Sequence, residues 1–216
     1  MQKNDQFYSD MQQYIAVTTI GPSTLRNQGA KGVIKTAQKY LAAVSLARFR
    51  TQNESGFLCV LDGATEELRF ALPQGAQHWG AARKALNLFL RDICYNRFLC
   101  ARHGLEGSED WMELPLDSLV AVWLKREARR EGKRGWVELP CWPGLNGLES
   151  EDSTRFQSFA KRLAEAGGVS RVHLDMRLWT VEREQGGKSV VAFGPHYATN
   201  SSEAGRATGY DPVSAD

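Results

Sequence analysis

One lysine and one aspartate carry the chemistry that the sequence suggests. Lys84 sits in Gly80-Ala-Ala-Arg-Lys-Ala-Leu-Asn87, and Asp117 follows thirty-three residues later in Leu114-Pro-Leu-Asp-Ser118. A lysine at the start of an apolar-faced helix is pushed towards its neutral, nucleophilic form by burial and by the positive end of the helix dipole. Such an amine can attack a sugar carbon and form a Schiff base with the opened sugar. A carboxylate in the first turn of its own helix is favoured by the dipole there. It can take the lysine's proton or balance positive charge developing on the sugar. Arg83, next to the lysine, would further disfavour protonation and could hold a phosphate. Each residue alone also has a plain explanation, a surface lysine or an aspartate that steadies a helix start.

The elements that must position them read as helices. Residues 1 to about 13 are polar and expected to be loosely held. Pro22 and Ser23 punctuate the chain before Leu25-Arg-Asn-Gln-Gly29, and Val33, Ile34, Ala37, Tyr40, Leu41 and Val44 then recur at helical spacing. Asn53, Ser55 and Gly56 mark a turn, and Phe57–Leu61 is an apolar run that fits a strand or a buried helical turn. Asp62 or Thr65 could cap a short helix ended by Pro73 and Gly75. A long helix is predicted from Ala81 through Leu86, Phe89, Leu90 and Ile93 towards Cys100, broken by Gly104 and Gly107. Pro115 opens another, with Leu116, Leu119, Val120, Trp123 and Leu124 turned inward. After a Gly- and Pro-rich connection, Ser153 is a candidate cap for a helix burying Phe156, Phe159, Ala160 and Leu163. Gly167-Gly168 ends that helix, and Val172–Val181 reads as the last one. The pattern predicts an all-α protein of six to eight helices over residues 1–184, with 185–216 an irregular tail.

Bulk composition narrows the classes. The chain has 216 residues, 42% hydrophobic and 24% charged, with a formal net charge of +2. That is ordinary for a globular protein and too weakly basic to indicate nucleic acid by itself. The distribution says more: Lys125, Arg126, Arg129, Arg130, Lys133 and Arg134 crowd one stretch, and Arg83, Lys84, Arg91, Arg97 and Arg102 another. Clusters of this kind can release counterions from a phosphate backbone, although the first would also suit a solvated helix end. Cys59, Cys94, Cys100 and Cys141 have no zinc-ligand spacing and read as thiols in a reducing compartment. No apolar run has membrane-spanning length, so a cytoplasmic protein with no membrane partner is expected.

The Gly80–Asn87 block resembles the hairpin of helix-hairpin-helix DNA glycosylases, in which a Gly-x-Gly turn precedes Arg-Lys and a helix. Leu114–Ser118 is similar to their segment holding the catalytic aspartate. A third block, Val172-His-Leu-Asp-Met-Arg-Leu-Trp179, is similar to that of the archaeal type of 8-oxoguanine DNA glycosylase. The resemblance spans roughly residues 20 to 182. It implies two helical lobes around a base-binding cleft, one lobe holding Lys84 and Asp117 and the other built from the N-terminal helix and the 153–181 helices. It also implies that Lys84 is the Schiff-base nucleophile and Asp117 the catalytic carboxylate. Gln28 and Asp175 would read the edge of a flipped base and Trp179 would stack on its face. Gly80 and Arg83 would meet the DNA backbone. The implied partner is DNA carrying a modified base, with no metal, iron–sulfur cluster, organic cofactor or obligate protein partner indicated. Outside the resemblance Trp179 reads as core, Asp175 as a satisfied polar residue and Gln28 as a loop amide.

Two departures bear on the substrate. Ala82 replaces the second hairpin glycine, and Leu88 stands where the family places an aromatic one turn after the lysine. A one-sided stack leaves 8-oxoguanine open against a bulkier base, such as a decorated phage cytosine. Two other readings compete. Arg97 and His103 give an Arg-x5-His arrangement similar to the ribonuclease motif of the HEPN family, though Phe98 follows the arginine where that family has a polar residue. The third is a non-catalytic DNA-binding protein that keeps the helix-hairpin-helix fold.

Overall fold

The computed structural model describes residues 3–25, 27–131, 138–176 and 178. Trp179, Lys133, Arg134, the end of the expected 172–181 helix and the 185–216 segment lie outside the described residues. Among the described residues the chain is helical, with no strand: α1 Lys3–Thr19, α2 Val33–Ala43, α3 Glu54–Ala71, α4 Trp79–Tyr95, α5 Arg97–His103, α6 Ser118–Glu131 and α7 Ser150–Ala166. None of these helices is long and apolar enough to cross a membrane.

Helix α1 corrects the expectation of a loose start. Its polar sequence hides a narrow stripe at three- and four-residue spacing, Tyr8, Met11 and Ile15, packed with Ala16 and Ile20 against the core. Gln12 adds a polar tether, its side-chain nitrogen donating to the carbonyls of Leu41 (2.9 Å) and Val44 (2.8 Å). These are orphan acceptors at the end of α2, so one buried amide completes a neighbouring helix.

The Phe57–Leu61 run is helical. Helix α3 starts earlier than expected because Asn53 caps it, its side chain accepting from the Gly56 amide at 2.8 Å. Phe57, Leu61, Ala64, Thr65 and Leu68 form its buried stripe, so Thr65 packs inside the helix and does not cap it. The long helix predicted from Ala81 is two helices. Asn96 interrupts it and caps α5, accepting from the Phe98 and Leu99 amides, both at 3.1 Å. Helix α6 begins at Ser118, later than Pro115, and Leu119 is half exposed where an inward position was expected. Ser153 is buried inside α7, which starts at Ser150 with Glu151 and Asp152 in its first turn, where the dipole favours them.

Buried apolar side chains form two clusters. The larger joins α1 to α5, with Phe49, Phe57, Leu86 and Phe89 among its fully buried members. The smaller joins α6 and α7 with Trp79, Leu139, Leu148 and Leu174. The expected division of the chain is therefore corrected: the N-terminal helix packs with α2, α4 and α5, and α6 packs on α7. Helix α4 serves both clusters, through Trp79 at its start and Ala81 to Ile93 along its length. Every residue from Trp79 to Asn87 is buried, charged ones included. A helix covered on all sides must satisfy its polar groups inside the protein, and that demand shapes the site.

Candidate functional site

Lys84 lies in the second turn of α4 with only 8% of its surface exposed. Its Nζ donates to Asp117 Oδ2 at 3.3 Å. Asp117 is the cap of α6, one position before the first turn in which the sequence placed it. Its Oδ1 accepts from the Leu119 and Val120 amides, each at 3.0 Å, and its carbonyl accepts from the Ala121 amide at 2.8 Å. One carboxylate oxygen is thus committed to the helix and the other faces the lysine. Capping fixes the carboxylate's direction, so the amine meets an acceptor that need not reorganise.

This pair opens onto a pocket of about 740 Å³ that Gln28 and Asp175 also line. Four of the expected site residues therefore surround one space, although they come from a loop, two helix starts and the helical residues 174–176. Lys84, Leu88 and Arg91 form a single stripe of α4 facing it, at spacings of four and three. Asp175 is 2% exposed and accepts a hydrogen bond from an Arg91 Nη, so a buried carboxylate is matched by a half-buried cation. Arg91 is held in turn by Asp92, which accepts from its Nε at 2.8 Å.

The far wall comes from residues that the sequence did not single out. Trp142 lines the pocket and is braced edge-on by Phe156, with ring centres 5.8 Å apart. Pro143 to Asn146 continue the wall, and Asn146 Nδ2 donates to the Asn27 carbonyl at 3.3 Å, tying this loop to the one that carries Gln28. The available signal was a lone aromatic inside the turn-rich Cys141-Trp-Pro-Gly-Leu-Asn-Gly147.

Two expected backbone contacts are corrected. Gly80 is buried in the first turn of α4, and a Cβ there would lie 2.5 Å from the Leu145 carbonyl oxygen and 2.7 Å from Leu148 Cβ. Glycine is required because the 142–148 loop packs directly on the helix backbone. Arg83 is also turned inward, at 5% exposure. It holds Glu113 through Nε (2.8 Å) and an Nη (3.1 Å), and reaches Asp62 at 2.8 Å and Thr65 at 3.0 Å with the other Nη. Four of its five N–H donors are committed to these partners and the side chain is buried, so it is turned away from any phosphate.

Arg83 and Glu113 instead hold the site's frame. Burial alone would push the Glu113 carboxyl up, but the charge and hydrogen bonds of Arg83, with help from Arg171 and Asn87, hold it below the usual carboxylate range. One residue further on, the Leu114 amide donates to Gln157 Oε1 at 3.0 Å, and Gln157 Nε2 donates to the Leu114 carbonyl at 2.7 Å. The 113–117 segment is thereby fixed to α4 by an ion pair, to α7 by a paired amide and to α6 by a cap. Neither Arg83, Glu113 nor Gln157 lines the pocket. Arg97 and His103 stand at opposite ends of α5 and do not line it either. Arg97 lies over the Phe98 ring at 4.7 Å, and burial pulls the His103 pKa down.

Compared with protein-family models, with curated proteins and with solved structures, the chain matches none.

Proposed function

We propose that the protein is a DNA glycosylase with β-lyase activity, using Lys84 as nucleophile and Asp117 as its proton acceptor and electrostatic partner. The observation that carries this reading is the 3.3 Å contact between a buried amine and a capped carboxylate at the edge of a pocket large enough for an extruded nucleotide base. In this reading the two apolar clusters are two lobes, the pocket is the base-binding cleft, and α3, the 72–78 turn and α4 form the helix-hairpin-helix element. Asp117 removes a proton from the Lys84 ammonium. The amine then attacks the sugar carbon bearing the base, and the bonding pair of the glycosidic bond leaves with the base, which is protonated. Ring opening gives the Schiff base, and loss of a proton from the adjacent carbon expels the 3′ phosphate.

The pocket also supports a view of the substrate. Its volume exceeds what a flat, bare base needs, and Ser23, Asn27 and Asn146 are among its lining residues, with hydroxyl and amide groups. Such groups suit a base bearing a polar, hydroxyl-rich substituent better than 8-oxoguanine. A hypermodified phage cytosine, removed as an anti-phage defence, fits this description. Borohydride trapping on oligonucleotides carrying 8-oxoguanine, uracil, hydroxymethylcytosine or its glucosylated form tests the proposal. A covalent adduct lost in Lys84→Gln is expected. Base release without trapping would mean a monofunctional glycosylase, and silence on both would remove the glycosylase reading.

A further inference from the structure

Asp175 is the residue that the resemblance assigns to the edge of a flipped base, yet its Oδ2 is taken by a group from α4. Arg91 lies two turns beyond Lys84 on the same stripe of that helix and lines the same pocket. One Nη of Arg91 donates to Asp175, and the guanidinium is the more exposed of the two side chains, 13% against 3%. Arg91 is also held from a second direction. Its Nε donates to Asp92 Oδ1 at 2.8 Å, and its other Nη lies 2.8 Å from the same oxygen. Asp92 is fixed in turn, because its Oδ2 accepts from Thr19 Oγ1 at 2.5 Å. A guanidinium carries five N–H donors in one plane. One on Nε and one on each Nη face carboxylates, which leaves one on each Nη without a partner among the described residues. The pocket wall therefore holds a clamped, planar pair of donors. Two carboxylates around one cation leave a local negative charge, which disfavours a phosphate and suits a neutral acceptor.

Resting on the glycosylase reading for the bound nucleotide, we propose that Arg91 determines which base is accepted, reading its edge with two donors where the resemblance implied a carboxylate acceptor. The matching edge has two adjacent acceptors, the arrangement that a planar guanidinium meets best. Cytosine has that edge in O2 and N3, and a substituent at C5 points away from it. 8-Oxoguanine presents N1–H and a 2-amino group on the same edge, and uracil presents N3–H. Each of these sets a donor against a donor and leaves buried polar groups unpaired. Placement along α4 agrees with this. Lys84 and Arg91 are separated by a rise of about 10 Å, so a nucleoside whose sugar carbon meets the amine extends its base towards the guanidinium.

Binding of the full chain to oligonucleotides that resist cleavage tests this without turnover. The target position carries a 2′-fluoroarabino nucleotide bearing 5-hydroxymethylcytosine, 5-hydroxymethyluracil or 8-oxoguanine. The first two share the same substituent and differ in whether N3 accepts or donates. Wild type is expected to bind the cytosine about tenfold or more tightly than either other base, the scale of one unpaired buried donor. Arg91→Lys keeps a cation beside Asp92 and Asp175 but loses the planar fork, and its affinities for the three should fall within about twofold of one another. An unchanged thermal midpoint checks that this variant folds, and the comparison in wild type needs no variant. Equal affinities or a preference for 8-oxoguanine in wild type would overturn the proposal. So would a folded Arg91→Lys that keeps the wild-type ratio, because Arg91 would then only neutralise Asp175. The expected preference without excision from the cleavable counterparts would sink the glycosylase reading and leave this readout standing. Excision with equal affinities would do the reverse.

Discussion

Arg83 and Lys84 are neighbours on α4, yet their ion pairs have opposite characters. Arg83 and Glu113 meet through two short hydrogen bonds and are joined by Asp62, Thr65 and Asn87. Lys84 and Asp117 meet through one contact at 3.3 Å beside open space. The first pair is saturated and turned into the protein, and the second keeps capacity for another molecule. Adjacent helical positions point about 100° apart, so one helix can present a rigid clamp and a reactive amine without either disturbing the other. Saturation marks the frame, and spare capacity marks the site.

Breaking the frame should cost the most stability. Glu113→Ala leaves a buried guanidinium short of its main partner and should destabilise by about 3–5 kcal/mol in denaturant unfolding. Its pH dependence has a definite sign. The folded Glu113 pKa lies below the unfolded value, so its stabilisation is present above the unfolded carboxylate range and is lost as pH falls through the folded pKa. Wild type should therefore lose stability in acid more steeply than Glu113→Gln, and matching pH profiles would count against the ion pair. Gln157→Leu strands a buried amide and a buried carbonyl of Leu114, and about 1–3 kcal/mol should disappear in the same assay. Gly80→Ala forces the 142–148 loop away from α4, for a similar loss of about 1–3 kcal/mol. Base binding should weaken with it, because Trp142 moves. On the site side the losses extend to function. Trp142→Ala should lower stability by about 1–3 kcal/mol, because the ring packs on Phe156, and should raise KM about tenfold or more, the scale of a lost stacking contact. Lys84→Gln should abolish adduct formation, with a loss of about 1–3 kcal/mol because the buried charge-assisted hydrogen bond to Asp117 goes with the cation.

The all-α architecture was legible because apolar residues recur at helical spacing in α2, α4, α6 and α7. Helix α1 was not, since two partly buried side chains, Tyr8 and Met11, the buried Ile15 and Ala16, and a tethering glutamine replace a full apolar stripe. The same limit hid the interruption at Asn96, where one capping side chain ends a pattern that continues on both sides of it. Lys84, Asp117, Gln28 and Asp175 were each picked out by residue type and resemblance, and the structure gathers them at one pocket. Arg83 was misread because sequence shows its neighbour and not its azimuth. Glu113, Asp62 and Trp142 lie tens of residues away along the chain, and only the packing of α3, α4 and the 142–148 loop brings them to bear on α4. Local pattern therefore reveals elements and reactive groups, while the partners that decide each group's role are long-range.

Borohydride trapping of wild type and Lys84→Gln on the panel of modified oligonucleotides tests the central claim most directly. A Lys84-dependent covalent adduct, strongest on the glucosylated cytosine, is the expected result. An adduct of equal yield in Lys84→Gln would contradict the assignment of Lys84 as the nucleophile, whatever base is released.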